Sequence, residues 1–326
     1  MFDFSNTIHN ATQHVFGIFV PHEKMFILYL LTSFGIAWLV WRAQIKREKA
    51  AGGAKDFFSY IFSPSIYNHQ SSWQDYFIFL INGLLYYGII EQFVLSERAV
   101  SVFMHQVLII TFGSPDHPIL KSVAGLLLVT LVMALLFDLS VYCAHYMLHK
   151  IPALWAFHKV HHSAEVMTPI TLLRTHPIEL ILNAIAFAVF VGFGIGIFSY
   201  LTMQEMSDAR ILGANAIVFI SLITGIHLRH SHVWLHYPAW LSRFLISPAQ
   251  HQIHHSTQVC HFDKNLGLIF PFWDKIFSTL YVPKEREELE FGINKRARNP
   301  YASVKQMYLQ PFKECCAFFQ PKKESE

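Results

Sequence analysis

Charge is scarce in this chain. Of its 326 residues only 14% are Asp, Glu, Lys or Arg, while 53% are hydrophobic. A soluble domain carries about 25% charged residues, so an ordinary water-facing surface is excluded and a bilayer is the expected surrounding. The formal net charge is only +3, and no basic arm alternates with aromatics, which sets aside a nucleic-acid partner. Cysteine is scarce too. Cys143, Cys260, Cys315 and Cys316 form no C-x-x-C pair, so neither a disulfide framework nor a thiolate zinc site is indicated. The H-E-x-x-H signature of a helix-borne zinc hydrolase is absent. Solenoid-type repeats are also absent, and low complexity is limited to the short "AAGGA" at 50–54.

The sequence is instead rich in long apolar runs. Met25 to Trp41 reads as a first span, and the basic cluster Arg42, Lys46, Arg47 and Lys49 follows it. A cleaved leader has its basic residues before the apolar run, so this run is expected to be an uncleaved anchor with its N-terminus outside. Further spans are expected at Tyr76 to Leu95, from Ile119 into "HYMLH", at Ile178 to Tyr200 and at Ile211 to His227. The run "AVSVFMHQVLIITF" between the second and third is expected to be interfacial or re-entrant. The fold class is therefore an all-α, multi-pass transmembrane bundle of four to five spans. We divide it into an N-terminal segment (1–24), an anchor with a basic loop (25–75), a membrane domain (76–283) and a charged tail (284–326). The Lys- and Arg-rich segments share one side, expected to be cytosolic, and counting crossings brings positions 145–176 and everything past 227 to that same face.

Histidine is the other abundance, with 20 in the chain. "AFHKVHHSAE" holds His158, His161 and His162, and "PAQHQIHHST" repeats the H-x-x-H-H spacing at His251, His254 and His255. On a helix, positions i, i+3 and i+4 share a face, so each box offers three imidazoles to one point. "DLSVYCAHYMLHK" adds His145 and His149 on one helical stripe with Asp138 and Tyr142, which are candidates to orient the imidazoles from behind. Buried imidazoles need a hydrogen-bond or metal partner. Eight are too many for one tetrahedral ion and suit two. "GIHLRHSHVWLHYP" supplies His230 as a further ligand candidate, with His227 and His236 after it. His176 in "RTHPIE" reads equally as a ligand and as a helix-start residue. Imidazole suits iron, zinc, copper and nickel alike. The lack of carboxylates within the boxes speaks against glutamate-bridged di-iron bundles, and two redox-active irons at a bilayer edge would suit oxidation of lipid C–H bonds.

"HYMLH", "HKVHH" and "HQIHH", in that order, resemble the three histidine boxes of the integral-membrane fatty acid hydroxylase and sterol desaturase superfamily. The resemblance runs over about residues 75–283, and "RTHPIE" and "RHSHVWL" are similar to its accompanying segments. "HHSTQVCHFDKNLGLIFPFWDKIFSTLYVPKE" is most similar to alkylglycerol monooxygenase-like members, although Ser278 stands where glycine is usual and Leu266 where an aromatic is usual. This resemblance implies two ferrous ions (with zinc an alternative occupant on isolation), molecular oxygen, a lipid substrate and an external electron donor. That donor is tetrahydrobiopterin in the alkylglycerol monooxygenases and a cytochrome or ferredoxin in others. Asp263 is a further candidate for an orienting or turn role. Two other activities fit the same residues: desaturation at the same centre, and metal transport along a histidine path.

Overall fold

A computed structural model describes residues 26–48, 52–120, 122–203, 208–211, 214–293 and 299–318, together with residue 12. The expected N-terminal segment falls almost wholly outside these residues.

Among the described residues, four helices are long and apolar enough to cross a membrane. The first, α1 (Ile27–Glu48), ends in Lys46 and Arg47. Two short helices, α2 (Ala54–Ile61) and α3 (Pro64–Tyr67), lead into α4 (Gln70–Asn82). From α4 the chain continues as a π-helix at Gly83–Ile90, a 3-10 turn at Glu91–Phe93, and α5 (Glu97–Phe112). The segment expected to be interfacial is thus α5, the second half of one long broken helix that spans Gln70–Phe112. The break has a local cause: Val94 is extended, and Ser96 caps the new helix through the amide of Ala99.

Next come α6 (Val123–Lys150), α7 (Pro152–His162) and α8 (Pro177–Thr202). The long broken helix runs alongside α8 in the same direction: Asn82 donates to the Thr175 carbonyl and Tyr86 to that of Leu180, while Tyr200 reaches back to Gly113. Glycine permits the close approach. A Cβ on Gly192 would lie 2.7 Å from the Glu97 carbonyl, one on Gly196 2.7 Å from that of Ser101, and one on Gly194 2.5 Å from Leu136 of α6. α6 runs antiparallel to α8, with Ile119 donating to the Leu201 carbonyl near the far ends.

The fifth expected span is corrected by the structure. Ile211–His227 holds the end of a two-stranded hairpin (β1, Arg210–Ile211; β2, Ala214–Asn215), the eight-residue α9 (Ala216–Ile223) and the start of a 3-10 turn at Ile226–His230. Asn215 caps α9 at its start, and Gly225, at φ 102°, ends the helical run. The segment still returns the chain to the histidine end, because it lies inside the protein: Val218 packs on Ala134 and Ile269, and Asn215 donates to the Thr130 carbonyl. Its apolar residues are covered largely by protein.

After this come α10 (Pro248–His254), α11 (Phe272–Ile276) and α12 (Val304–Phe318). α12 belongs to the charged tail. It lays Met307 against Ile78, Val160 and Tyr301, on the back of α7.

Candidate metal centre

α6 has 28 residues and rises about 42 Å, more than the ~30 Å hydrocarbon core of a bilayer. It is long enough for its last turns, which carry His145 and His149, to reach past the apolar layer. There they meet α7, the 3-10 turn at Ile226–His230, and α10. Nine imidazoles converge in two groups, one of His145, His149, His158, His162 and His254 and the other of His161, His230, His251 and His255; within each, the ligand atoms lie within 4.8 Å of one another. Each H-x-x-H-H box is divided between them. The i, i+4 pair of α7 faces the first group and its i+3 ring the second, while α10 does the reverse. Neighbouring rings tie the groups together, with His162 and His255 stacked at 4.6 Å and His251 and His254 stacked at 5.3 Å.

The imidazoles are held with their lone pairs pointing inward. A carbonyl can only accept, so Nδ1–H of His145 donates to Leu266 (2.8 Å), that of His254 to Lys264 (2.9 Å) and that of His161 to Arg174 (3.2 Å). Each Nε2 is then an unprotonated donor atom facing its neighbours. His145 and His158 bring their Nε2 atoms to 3.1 Å, and those of His230, His251 and His255 lie 3.1–3.2 Å apart. The buried Nε2 atoms of His149, His162 and His254 have no hydrogen-bond partner among the described residues. Converging lone pairs in a buried site repel unless a cation lies among them. The spacing also suits one: metal–nitrogen bonds of about 2.0–2.1 Å separate two neighbouring ligands by roughly 3.0–3.4 Å. Burial, reinforced by the neighbouring imidazoles, holds His161, His162, His251 and His255 well below the usual histidine range and pushes His254 down to about 3. All five are neutral near pH 7, the form that ligates.

The side chains around the rings differ from the sequence expectation. Asp138 and Tyr142 do not touch them. Asp138 accepts from the backbone of Ile269 (2.7 Å) and Phe270 (3.1 Å) and from the Trp273 indole (3.1 Å), and Tyr142 bonds Thr279 at 3.0 Å. Both fix the 265–280 loop to α6, one and two turns before the first ring. Two other acids face imidazoles directly. Glu179 lies 3.1 Å from His158 Nδ1, and Asp263 lies 3.2 Å from His149 Nδ1 and 2.6 Å from Lys150. Glu179 was legible only as the acid after "RTHP". Nothing in the sequence marked the carbonyls of Arg174, Lys264 and Leu266.

Arg174 is fully buried, and its guanidinium binds Asp75 (2.6 Å), Ser163 and the carbonyls of Val160 and Ser71. That network fixes the carbonyl which holds His161. His176 lies outside both groups: its Nδ1 accepts from the Ile178 amide (3.1 Å), capping α8, and its Nε2 donates to the Tyr308 carbonyl (3.2 Å). Of the three histidines expected past the fifth apolar run, His230 enters the second group, His227 is buried outside both groups and His236 is exposed. Ser278 sits at φ 60°, the left-handed region where glycine is unstrained.

Residues 130–279 match the family model of the fatty acid hydroxylases. Over these residues the chain is similar to the fatty acid hydroxylases. Among curated proteins it is 24% identical over 164 residues to alkylglycerol monooxygenase of Homo sapiens, a match covering 48% of this chain and 31% of that protein. It is 27% identical over 147 residues to the Delta(7)-sterol 5(6)-desaturase ERG3B of Gibberella zeae, covering 45% and 39%. With the ornithine lipid hydroxylase OlsE of Rhizobium tropici the identity is 26% over 175 residues, covering 54% and 47%. The chain thus spans less than half the length of each of these relatives. No solved structure matches it. All nine converging histidines lie inside the matched range, whereas Asp75 and α12 brace the site from outside it.

Proposed function

We propose that this chain is a membrane-bound, non-haem di-iron oxygenase that hydroxylates a lipid, its nine clustered imidazoles being the ligands of two ions. One observation carries the reading: two groups of buried, neutral, inward-facing imidazoles sit at one end of four membrane-length helices. Two ferrous ions held there, supplied with oxygen and with electrons from an external donor such as tetrahydrobiopterin, a cytochrome or a ferredoxin, would provide the oxidising power. Hydroxylation consumes one C–H bond, one O2, two electrons and two protons, and yields one hydroxyl and one water.

The residues of the chain do the positioning. Leu266, Lys264 and Arg174 select the ring tautomers, and Glu179 and Asp263 orient His158 and His149. The buried ring cluster keeps bulk water from the ligand atoms, and the apolar helices leave a lipid chain as the substrate that can reach the centre from the bilayer. Trp41 near the end of α1 packs with Leu228 and Val233 beside His230, so the basic end of α1 shares the site's side. Positive residues favour the cytosol, which supports a cytosolic centre. The similarity to a sterol desaturase supports a second reading, in which a second hydrogen is removed instead of oxygen being delivered. Metal transport is less well supported, because the rings gather at one end and not along a span.

The test is oxygen-dependent turnover by the iron-loaded protein in membranes containing a mixed lipid pool, compared by mass spectrometry with the His161→Ala, His254→Ala double variant. A lipid that gains one oxygen only with intact histidines establishes the hydroxylase, and loss of two hydrogens makes it a desaturase. If no lipid changes with any reductant while metal flux across vesicles depends on these histidines, the oxygenase reading fails.

A further inference from the structure

The two histidine groups sit in different electrostatic settings. In the first, Glu179 faces His158 and Asp263 faces His149, both at the ring nitrogen remote from the cluster. Glu179 is buried along with its imidazole, so its charge is weakly screened; Asp263 is half-exposed and shared with Lys150, and contributes less. A carboxylate beside Nδ1 adds negative charge near the ion, and where it accepts Nδ1–H, as Asp263 does from His149, it also makes the imidazole a stronger donor at Nε2. In the second group, His161, His251 and His255 face no carboxylate among the described residues, and His161 is held by the neutral carbonyl of Arg174. A buried cation stands nearby instead. Arg229, adjacent to His230 in the chain, is only 6% exposed and donates to the Ile246 carbonyl, so its charge is weakly screened and disfavours a divalent ion beside it.

We propose that the two groups bind metal in order, the His145, His149, His158, His162 and His254 group first and more tightly, with Glu179 and Asp263 as the positioning residues that set the difference. The second group then holds the exchangeable ion. This rests on the reading of the cluster as a dimetal centre, and it assigns distinct roles to two acids that hold no metal themselves.

The experiment titrates the full chain in detergent, stripped of metal, with Fe2+ under argon against a chromophoric chelator. Two steps at least tenfold apart are expected. His251→Ala should delete the weaker step and His149→Ala the tighter. Glu179→Gln keeps an acceptor oxygen but removes the charge, and should weaken the tighter step by about 10- to 100-fold while moving the weaker one less than twofold. Asp263→Asn should act in the same direction with a smaller effect, and its half-exposed position keeps the test available should Glu179→Gln fail to fold. Two equal steps in the unaltered chain, or a tighter step indifferent to both acids, overturn the ordering while leaving the dimetal centre standing. A chain that takes up no iron overturns both.

Discussion

His176 illustrates how a histidine in a ligand-rich sequence can serve a helix instead of a metal. It precedes Pro177, takes the N-cap position of α8 and accepts the Ile178 amide. Asparagine caps as well, so His176→Asn should keep the wild-type iron content measured by elemental analysis. The lost bond to Tyr308 should cost about 1 kcal/mol in a denaturation midpoint; loss of iron on the scale of His161→Ala would show instead that the ring is a ligand. Protonation is argued at the same scale. His161, His162, His251, His254 and His255 titrate lower in the folded chain than the ~6.5 of an unfolded histidine. Between these values the unfolded state binds more protons, so stability present above pH 6.5 is lost as pH falls toward 3. The metal-free protein should therefore show a thermal midpoint that drops from pH 7 to pH 5, and a flat profile over that window would contradict the burial of these rings in neutral form.

Among the elements, the loop from Asp263 to Leu280 has the largest share in building the centre. Within four residues it presents an Asp263 carboxylate and the Lys264 and Leu266 carbonyls to three different rings, His149, His254 and His145. Asp263 and Asn265 take left-handed conformations to do so, at φ 56° and 55°, as short polar side chains tolerate. The loop is then fixed from behind. Asp274 accepts the amides of Leu266 and Gly267, and Asp138 accepts those of Ile269 and Phe270. An acid within a membrane-length helix is by default a functional hypothesis. Here it satisfies buried loop amides, which are costly to leave unpaired. Asp138→Ala would leave three donors unmet and should destabilise the chain by roughly 3–5 kcal/mol. Lowered iron content should accompany that loss, since the loop fixes ring tautomers. Retention of both iron and thermal stability would show that the loop holds itself.

For the whole molecule, the centre, the basic end of α1 and the tail helix α12 all lie on one side. Exposed Cys260 and Cys316 stand on that side as well. The cytosolic orientation proposed above then predicts that a membrane-impermeant maleimide labels both from the cytosolic side of sealed vesicles and neither from outside, and labelling from outside would reverse the orientation. Much of this arrangement was legible in the sequence. The apolar runs gave the four long helices, and the i, i+3, i+4 spacing placed the box histidines on single helical faces, because both signals are local to one helix. The run from Ile211 misled because apolar composition is the same whether lipid or protein covers it. Asp138 misled because a helical stripe says which residues align, not how far along it a ligand group extends. Sequence by itself thus determined the membrane helices, the three boxes and the kind of ligand. Only the tertiary structure decided how each box divides between two groups, that Glu179 and Asp263 and not Asp138 face the rings, and that His230 joins them while His176 does not. Those choices depend on contacts between residues up to 135 apart in the chain, as Asp138 is from Trp273, and no local spacing encodes them.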